Sequence, residues 1–346
     1  MNILLTGGTG YIGSHAAVSL IQEGHNVVLL DNLINSDENI LKALNKITKS
    51  EVSFIHGDIA DQELICNILK SNQIDTVIHF AGLKSVAESV KNPIRYFKNN
   101  VLGTISLLDS MEKAGVNNLV FSGSATVYGN PMYLPIDESH SLDANNPYGR
   151  TKQQIEEILQ SIASSNPSWK IVTLRYFNPI GAHPSGLIGE NISGMPNNIM
   201  PLICKVALKQ LDQLNVYGND YETKDGTGVR DYIDIMDLID GHISALKFIH
   251  SPKIKAMKEL DGDVENYHTF NLGTGHGYSV LELIHAFEEV SGMKISYKFE
   301  DRRPGDIAEN YAKIEKANKI LKWNSKRTLH DMCSTSWKFI SYMNPK

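Results

Sequence analysis

Short apolar runs and longer amphipathic stretches alternate along the first half of the chain, and that alternation predicts an architecture. Asn2–Thr6 is a compact apolar run, followed by glycines and then by a helical pattern from Tyr11 to Glu23. Further strands are predicted at Asn26–Leu30, Val52–His56, Thr76–Phe80, Leu119–Ser122 and Ile171–Tyr176. Several of these are apolar on both faces, as strands of a parallel sheet covered by helices on each side must be. Right-handed crossovers between them give a doubly wound α/β sheet of the Rossmann type. After about Asn178 the rhythm breaks. Pro179–Asn197, rich in Gly, Pro and Asn, predicts an irregular segment. Strand-like Gln213–Tyr217 and Tyr267–Leu272 then mix with helical Ile235–His250 and Ser279–Val290, which predicts a smaller C-terminal α/β lobe. The expected domains are residues 1–178, joined by segments returning from about 232–250 and 267–275, and residues 179–346, mainly the second lobe. Polar, charged Ser251–Val264 reads as a surface excursion rather than a linker.

Composition narrows the classes without choosing among enzymes. A chain of 346 residues with 42% hydrophobic and 21% charged residues is ordinary for a globular protein with a full core. A net charge of -6 and the lack of any Lys/Arg run argue against a nucleic-acid surface. Cys66, Cys204 and Cys333 are far apart and in no CxxC pair, so they read as reduced, buried thiols. The twelve histidines show no metal-ligand spacing, and no metal is expected. No apolar run approaches the roughly 18 residues of a membrane span. With the first strand starting at Asn2, no room is expected for a signal peptide, so the expectation is a soluble, cytoplasmic protein.

The first turn carries specific chemistry. Thr6-Gly-Gly-Thr-Gly-Tyr-Ile-Gly13 leaves the first strand and opens the first helix, with Gly7 or Gly8, Gly10 and Gly13 at the spacing of a dinucleotide-binding turn. Glycines there allow a tight turn, close approach of backbone to a pyrophosphate, and close packing of helix on strand. The helix N-terminus offers N–H groups and a positive dipole end to the phosphates. Asp31 ends the second strand, where a carboxylate can bind both ribose hydroxyls and repel the extra phosphate of NADP, so NAD is the expected cofactor. Asp58, just past the third strand, faces either an adenine edge or the start of the helix predicted at Ile59–Leu69. Phe80-Ala81-Gly82 ends the fourth strand with small residues that let backbone lie along the cofactor.

Tyr148 and Lys152 form Tyr-x-x-x-Lys at the start of the helix predicted over Tyr148–Gln160. Four residues apart on a helix places both on one face. A tyrosine with a pKa near ~10 is a poor base at neutral pH. A neighbouring ammonium and an oxidised nicotinamide both favour the phenolate. Ser122 to Gly129 closes the preceding strand, and the hydroxyls of Ser124 and Thr126 can hold a sugar hydroxyl and relay its proton to Tyr148.

These residues carry a resemblance. Thr6–Gly13, Asp31-Asn32, His79-Phe-Ala-Gly-Leu-Lys84, Ser124-Ala-Thr-Val-Tyr-Gly129 and Tyr148-Gly-Arg-Thr-Lys152 resemble the UDP-glucose (UDP-galactose) 4-epimerase family of extended short-chain dehydrogenases/reductases. So do Leu174–His183, Pro196–Pro201, Gly218–Tyr221 and Asp225–Tyr232, which are more specific, and the match runs end to end. The resemblance implies a catalytic trio of Tyr148, Lys152 and Ser124 and a retained NAD. The sugar is oxidised at carbon 4, the 4-keto intermediate turns over about its link to the diphosphate, and hydride returns to the other face. It adds Tyr11, Ile12, Asn32, Asn35, Ile59, Lys84, Asn99, Ser122 and Phe177 to the cofactor set. It implies UDP-sugar binding by Asn178, Asn198, Tyr217, Arg230, Arg303 and Asp306 beside Ser124, Thr126 and Tyr148. It also implies a homodimer, built on helices around Asn92–Lys113 and Tyr148–Gln160, although Ile105, Leu107, Leu108 and Met111 fit a dimer seam or a core face equally.

The departures are few. Gly123 stands where the family has serine, and Arg150-Thr151 where Lys-Ser is common. Asn310, seven residues after Arg303, stands where narrow-specificity members have Tyr, and the smaller side chain leaves room for an N-acetyl group on the sugar. Among alternatives, a sugar-nucleotide 4,6-dehydratase needs an Asp-Glu pair after the strand-end Ser/Thr, where this chain has Ala125 and Thr126. A steroid- or flavonoid-type oxidoreductase has little use for Asn178, Asn198, Arg230 and Arg303. A non-catalytic dinucleotide sensor has none for Tyr148, Lys152 and Ser124 together.

Overall fold

The computed structural model describes residues 1–190, 198–251, 254, 266–303 and 305–344. The chain begins β1 (Asn2–Thr6), α1 (Tyr11–Gln22), β2 (Asn26–Asp31), α2 (Ile40–Thr48), β3 (Ser53–His56), α3 (Gln62–Ser71) and β4 (Thr76–His79). Then follow α4 (Val86–Lys91), α5 (Pro93–Tyr96), a π-helical turn (Phe97–Leu102), α6 (Gly103–Ala114), β5 (Asn118–Ser124), α7 (Pro147–Ser165) and β6 (Lys170–Tyr176). The remainder is β7 (Asn178–Ile180), α8 (Ile199–Ala207), β8 (Leu214–Tyr217), β9 (Val229–Arg230), β10 (Tyr232–Asp234), α9 (Ile235–Ile249) and β11 (Tyr267–Leu272). It closes with β12 (Tyr278–Ser279), α10 (Val280–Ser291), β13 (Tyr297–Glu300), β14 (Glu309–Asn310), α11 (Glu315–Ile320) and α12 (Leu329–Met343).

The central sheet has seven strands in the order β11-β6-β5-β4-β1-β2-β3. β1 pairs in parallel with both β2 and β4, and β2–β3, β4–β5 and β5–β6 are parallel as well. This is the doubly wound α/β sheet expected from the apolar runs. The strand order reverses between β1 and β4, and ligands of such sheets bind where it does, outside the carboxyl ends of the strands.

Two compact units divide the chain: Met1–Asn130, Glu138–Tyr176 and Gly241–Phe270 form one, and Pro131–Asp137, Phe177–Asp240 and Asn271–Lys346 the other. In the first, α3, α6 and α7 pack their apolar faces on the sheet, with Leu107, Leu108 and Met111 in that core beside Leu119, Phe121, Ile155 and Trp169. In the second, α8, α10 and α12 enclose a core that includes Ile203, Phe287, Met332 and both Cys204 and Cys333.

Several local expectations shift. The helical stretch expected around Asn92–Lys113 runs without a break from Pro93 to Ala114 but carries a π turn at Phe97–Leu102 between α5 and α6. Asp61, not Asp58, caps α3, accepting from the Leu64 N–H at 3.0 Å. Pro179 lies within the short β7, and Gly189 and Ala182 form an antiparallel bridge, within the stretch expected to be irregular. The rest of that stretch, residues 191–197, and most of Ser251–Val264, residues 252–253 and 255–264, lie outside the described residues. Cys66 is half-buried rather than buried.

Candidate functional site

The glycine turn sits at the strand-order reversal, and its steric demands are local and severe. Gly7 has φ +68°, and a Cβ there would lie 2.7 Å from the Ala81 N at the end of β4. A Cβ at Gly13 would meet the Gly7 carbonyl oxygen at 2.2 Å. Gly10 differs, since only the Gly7 oxygen, at 3.3 Å, lies within reach of its missing Cβ. The protein fills the space at Gly7 and Gly13 and crowds Gly10, the N-cap of α1, less severely. No side chain caps that helix, so the positive end of its dipole is kept for an anion.

Around the turn, Asp31 accepts from the Thr9 N–H on Oδ2 at 3.1 Å and from the Leu33 N–H and Ser36 hydroxyl on Oδ1. A carboxylate has about four acceptor positions, so one on Oδ2 remains for an outside donor such as a ribose hydroxyl. Asn32 donates to Asp58 at 2.7 Å, and Asp58 also accepts from the Ala60 N–H. Ile59 is buried against Gly103, and Asn35 is exposed in the loop after β2. Tyr11 and Ile12 are half-buried in the first turn of α1, and Lys84 is exposed before α4.

The catalytic candidates lie at the ends of β5 and α7. Asn146 caps α7 by accepting from the Gly149 N–H at 2.9 Å, and Pro147 occupies the first helical position. Both are favoured helix-start residues, and they place half-buried Tyr148 in the first turn. The Tyr148 phenol lies beside the Ser124 side chain, which favours its ionised form. Ser124 Oγ accepts from the Thr126 hydroxyl at 2.9 Å and its N–H at 3.3 Å, leaving its own proton for the phenol oxygen. Lys152, 5% exposed, donates to the Ser122 carbonyl oxygen at 2.7 Å and lies over the Phe121 ring. Two of its three N–H donors find no acceptor among the described residues. The Ser122 side chain lies beside the Tyr176 hydroxyl, which is hydrogen-bonded to the His242 ring.

The electrostatics were not legible in the spacing. Burial pushes the Tyr148 phenol above its ordinary value, with Ser124 working against it. Burial also draws Lys152 down to about 8, opposed by Glu156. The expected lowering of Tyr148 is therefore not a property of the chain alone. The serine-to-glycine departure has a steric reason, since a Cβ at Gly123 would lie 2.9 Å from the Leu174 carbonyl oxygen and 3.2 Å from Glu156.

Asn100 gave no signal, because a polar residue in a helical stretch reads as a solvated position. It is 2% exposed, accepts from the Leu83 N–H at 2.8 Å, and donates to the Leu83 carbonyl and Thr151 hydroxyl. It thus ties the loop after β4 to α7, while the expected Asn99 is half-buried beside it. The uncapped N-terminus of α1 at Gly10, spare donors on Lys152 and a spare acceptor on Asp31 together fit a dinucleotide.

The second unit holds the remaining candidates. Phe177 is buried there, and its N–H donates to the Leu272 carbonyl. The exposed Asn178 donates its N–H to the Asp231 carbonyl, and Arg230 stands opposite Asn310 where β9 and β14 pair. Arg303 lies over the Tyr217 ring at 4.7 Å and donates to Asp306 at 2.8 Å. Asn198 donates to Glu190 at 2.6 Å. Asp231, which the sequence did not mark, is fully buried and accepts four hydrogen bonds, from Thr274 N–H and hydroxyl, Gly275 N–H and Ala312 N–H. It thereby fixes the backbone that carries Arg230 and Asn310.

Comparison with known proteins follows the same lines. A family model described as GDP-mannose 4,6 dehydratase matches residues 4–336. UDP-glucose 4-epimerase of Bacillus subtilis (strain 168) is 50% identical over 341 residues, covering 99% of this chain and 97% of the relative. The chain belongs to the UDP-glucose 4-epimerase family. Among solved structures of the family, the enzyme from Stenotrophomonas maltophila, with bound NAD and formylated UDP-arabinopyranose, superposes with a TM-score of 0.94 at 46% identity, covering 99% of this chain and 98% of that one. The Bifidobacterium longum epimerase, in complex with NAD+ and UDP, superposes at 0.91 with 44% identity over 100% of this chain and 99% of that one. Family members are enzymes, and this chain carries their doubly wound fold from end to end. Among the described residues no helix is long and apolar enough to cross a membrane, and no cluster of His, Cys, Asp and Glu could hold a metal.

Proposed function

We propose that the protein interconverts UDP-glucose and UDP-galactose by reversible oxidation at carbon 4 of the sugar, with NAD retained between turnovers. The observation that carries this reading is the Tyr148 phenol beside Ser124, one helical turn from the buried ammonium of Lys152. NAD, when bound, supplies a reversible hydride acceptor, held by Gly7, Gly10, Gly13, Asp31, Gly82 and Lys152. Tyr148 takes the proton of the 4-hydroxyl and returns it, and Ser124 and Thr126 orient that hydroxyl. The spare donors of Lys152 favour a phenolate at Tyr148 and bind ribose. UDP stays anchored by Asn178, Asn198, Tyr217, Arg230, Arg303 and Asp306 while the 4-keto sugar turns over, so remote binding energy retains the intermediate. The first unit holds NAD in this reading and the second holds the UDP-sugar.

The family model's description raises dehydration as a second reaction, but Ala125 and Thr126 occupy the strand end, and neither can act as acid or base in water elimination. Asn310 widens the pocket to UDP-N-acetylglucosamine and UDP-N-acetylgalactosamine. A homodimer belongs to the reading, supported by Val90, Ile94, Leu102 and Ile105, all exposed along α4 to α6. So does a cytoplasmic location, which three free cysteines suit.

The deciding experiment is conversion of UDP-galactose by purified protein without added NAD, beside Tyr148→Phe. Wild type converts it, and the variant falls at least about 100-fold, the usual scale for losing a proton-transfer group. A folded wild type that is inactive even with NAD supplied removes the UDP-glucose reading.

A further inference from the structure

Behind Tyr148 and Lys152 lies a buried ion pair to which the proposed reaction assigns no part. Glu156 follows Lys152 by one turn of α7 and is 3% exposed. Arg175 of β6 clamps its carboxylate, with Nη2 donating at 2.6 Å and Nε at 3.1 and 3.3 Å. Arg175 is itself 5% exposed, stacks on the Tyr128 ring, and donates to the Tyr128 hydroxyl at 2.9 Å and the Glu138 carbonyl at 3.3 Å. A buried ion pair is weak as a source of stability, since apolar groups of similar volume serve as well or better. Its presence here calls for another reason, and the reason lies one turn along the helix.

The Lys152 ammonium is buried with a single carbonyl partner. Facing it are Phe121 and Ser122 from β5, the Gly82 backbone beyond β4, His79 from β4 and Glu156 from α7, with Tyr148 one turn earlier on that helix. His79 is neutral, because burial pulls it down to about 3. Tyr267 and Tyr128, which face Glu156 and Arg175, are held protonated by burial. Glu156 is therefore the one anion that acts on Lys152 among the described residues.

We propose that Glu156 is a positioning residue of the hydride-transfer site, whose carboxylate, clamped by Arg175, holds Lys152 as an ammonium one turn from Tyr148. The inference rests on the reading of Tyr148 and Lys152 as the catalytic pair. Without Glu156 the ammonium has burial against it and only a carbonyl and a ring face in its favour. Lys152 then loses its proton at lower pH, and the phenol loses the charge that favours its ionised form. The Glu156 side of Lys152 opposes the effect of burial, as the proposal requires.

The test compares wild type with Glu156→Gln. That change strips a buried guanidinium of its counter-charge and endangers folding, so Glu156→Gln/Arg175→Met, which removes the whole ion pair, is measured beside it. In each holoenzyme the Lys152 side chain is titrated by NMR of 13C-labelled lysine, assigned by its loss in Lys152→Arg, and kcat for UDP-galactose is followed against pH. Lys152 titrates at least about one pH unit lower in Glu156→Gln than in wild type, the usual scale for losing an opposite charge nearby, and by less in the double variant, which also removes the Arg175 charge. The alkaline limb of kcat moves with it, while KM stays within about twofold, as expected when only the chemical step is affected. A wild-type Lys152 titration and alkaline limb in every folded variant reduces Glu156 to a packing role and overturns the proposal. If wild type does not convert UDP-galactose, the functional reading fails, while the NMR titration still decides whether Glu156 holds the charge of Lys152.

Discussion

At Asn310 a single atom carries a prediction about specificity. Its Oδ1 is shielded from solvent and accepts no hydrogen bond, while its backbone carbonyl is fixed by the Asp231 N–H at 2.9 Å. A buried acceptor without a partner costs about 1–3 kcal/mol, which a substrate N–H that reaches it recovers. The purified protein is expected to convert UDP-N-acetylgalactosamine with kcat/KM within about 100-fold of that for UDP-galactose, a range that pocket contacts can span. Asn310→Tyr is expected to lose the N-acetylated substrate and keep UDP-galactose. Wild type that leaves both N-acetylated sugars untouched would falsify this. The Tyr148 and Lys152 spacing was legible because a helix repeats every 3.6 residues. Their proton affinities were not, because desolvation depends on what packs around them.

At the scale of elements, Asp234 closes β10 and opens α9, and its two oxygens differ. Oδ1 accepts from the Met236 N–H at 2.8 Å, whereas Oδ2 is buried without a partner. Burial pushes this carboxyl up to about 7, with Arg327 working against it. An acid whose folded-state value is raised contributes stability below its unfolded value and loses it as pH rises through the folded one. Stability is therefore expected to fall between about pH 4 and about pH 7, by at most roughly 1.4 kcal/mol per pH unit from this group. Asp234→Asn keeps the acceptor for Met236 and should flatten that slope, as urea unfolding at several pH values will read. If the variant keeps the full wild-type slope, Asp234 is not its source. The elements also show where pattern fails. The helix that Pro93 opens runs on to Ala114, yet it carries a π turn at Phe97–Leu102, where Asn100 is turned inward. Such a turn leaves no signature in apolar spacing.

For the molecule as a whole, the open question in the sequence was which residues of α6 face a core. Leu107, Leu108 and Met111 are buried in the first unit, while Ile105 is 42% exposed, together with Ile94 at 71% and Leu102 at 55%. Apolar surface of this kind marks an interaction site more often than it stands idle. Sedimentation velocity is expected to give a dimer, and Ile94→Glu/Leu102→Glu a monomer that still binds NAD. A wild-type monomer at micromolar concentration sinks the dimer.

Local pattern by itself determined the doubly wound sheet, the glycine turn and the Tyr-x-x-x-Lys helix, because strand burial on both faces, tight turns and helical spacing are written in neighbouring residues. Tertiary structure alone decided which apolar face of α6 is core, that Asp231 holds Thr274, Gly275 and Ala312, and that Glu156 meets Arg175 nineteen positions away beneath the strand end. Each of these joins residues distant in the chain, and the free energy of a buried charge is set by the groups that close around it.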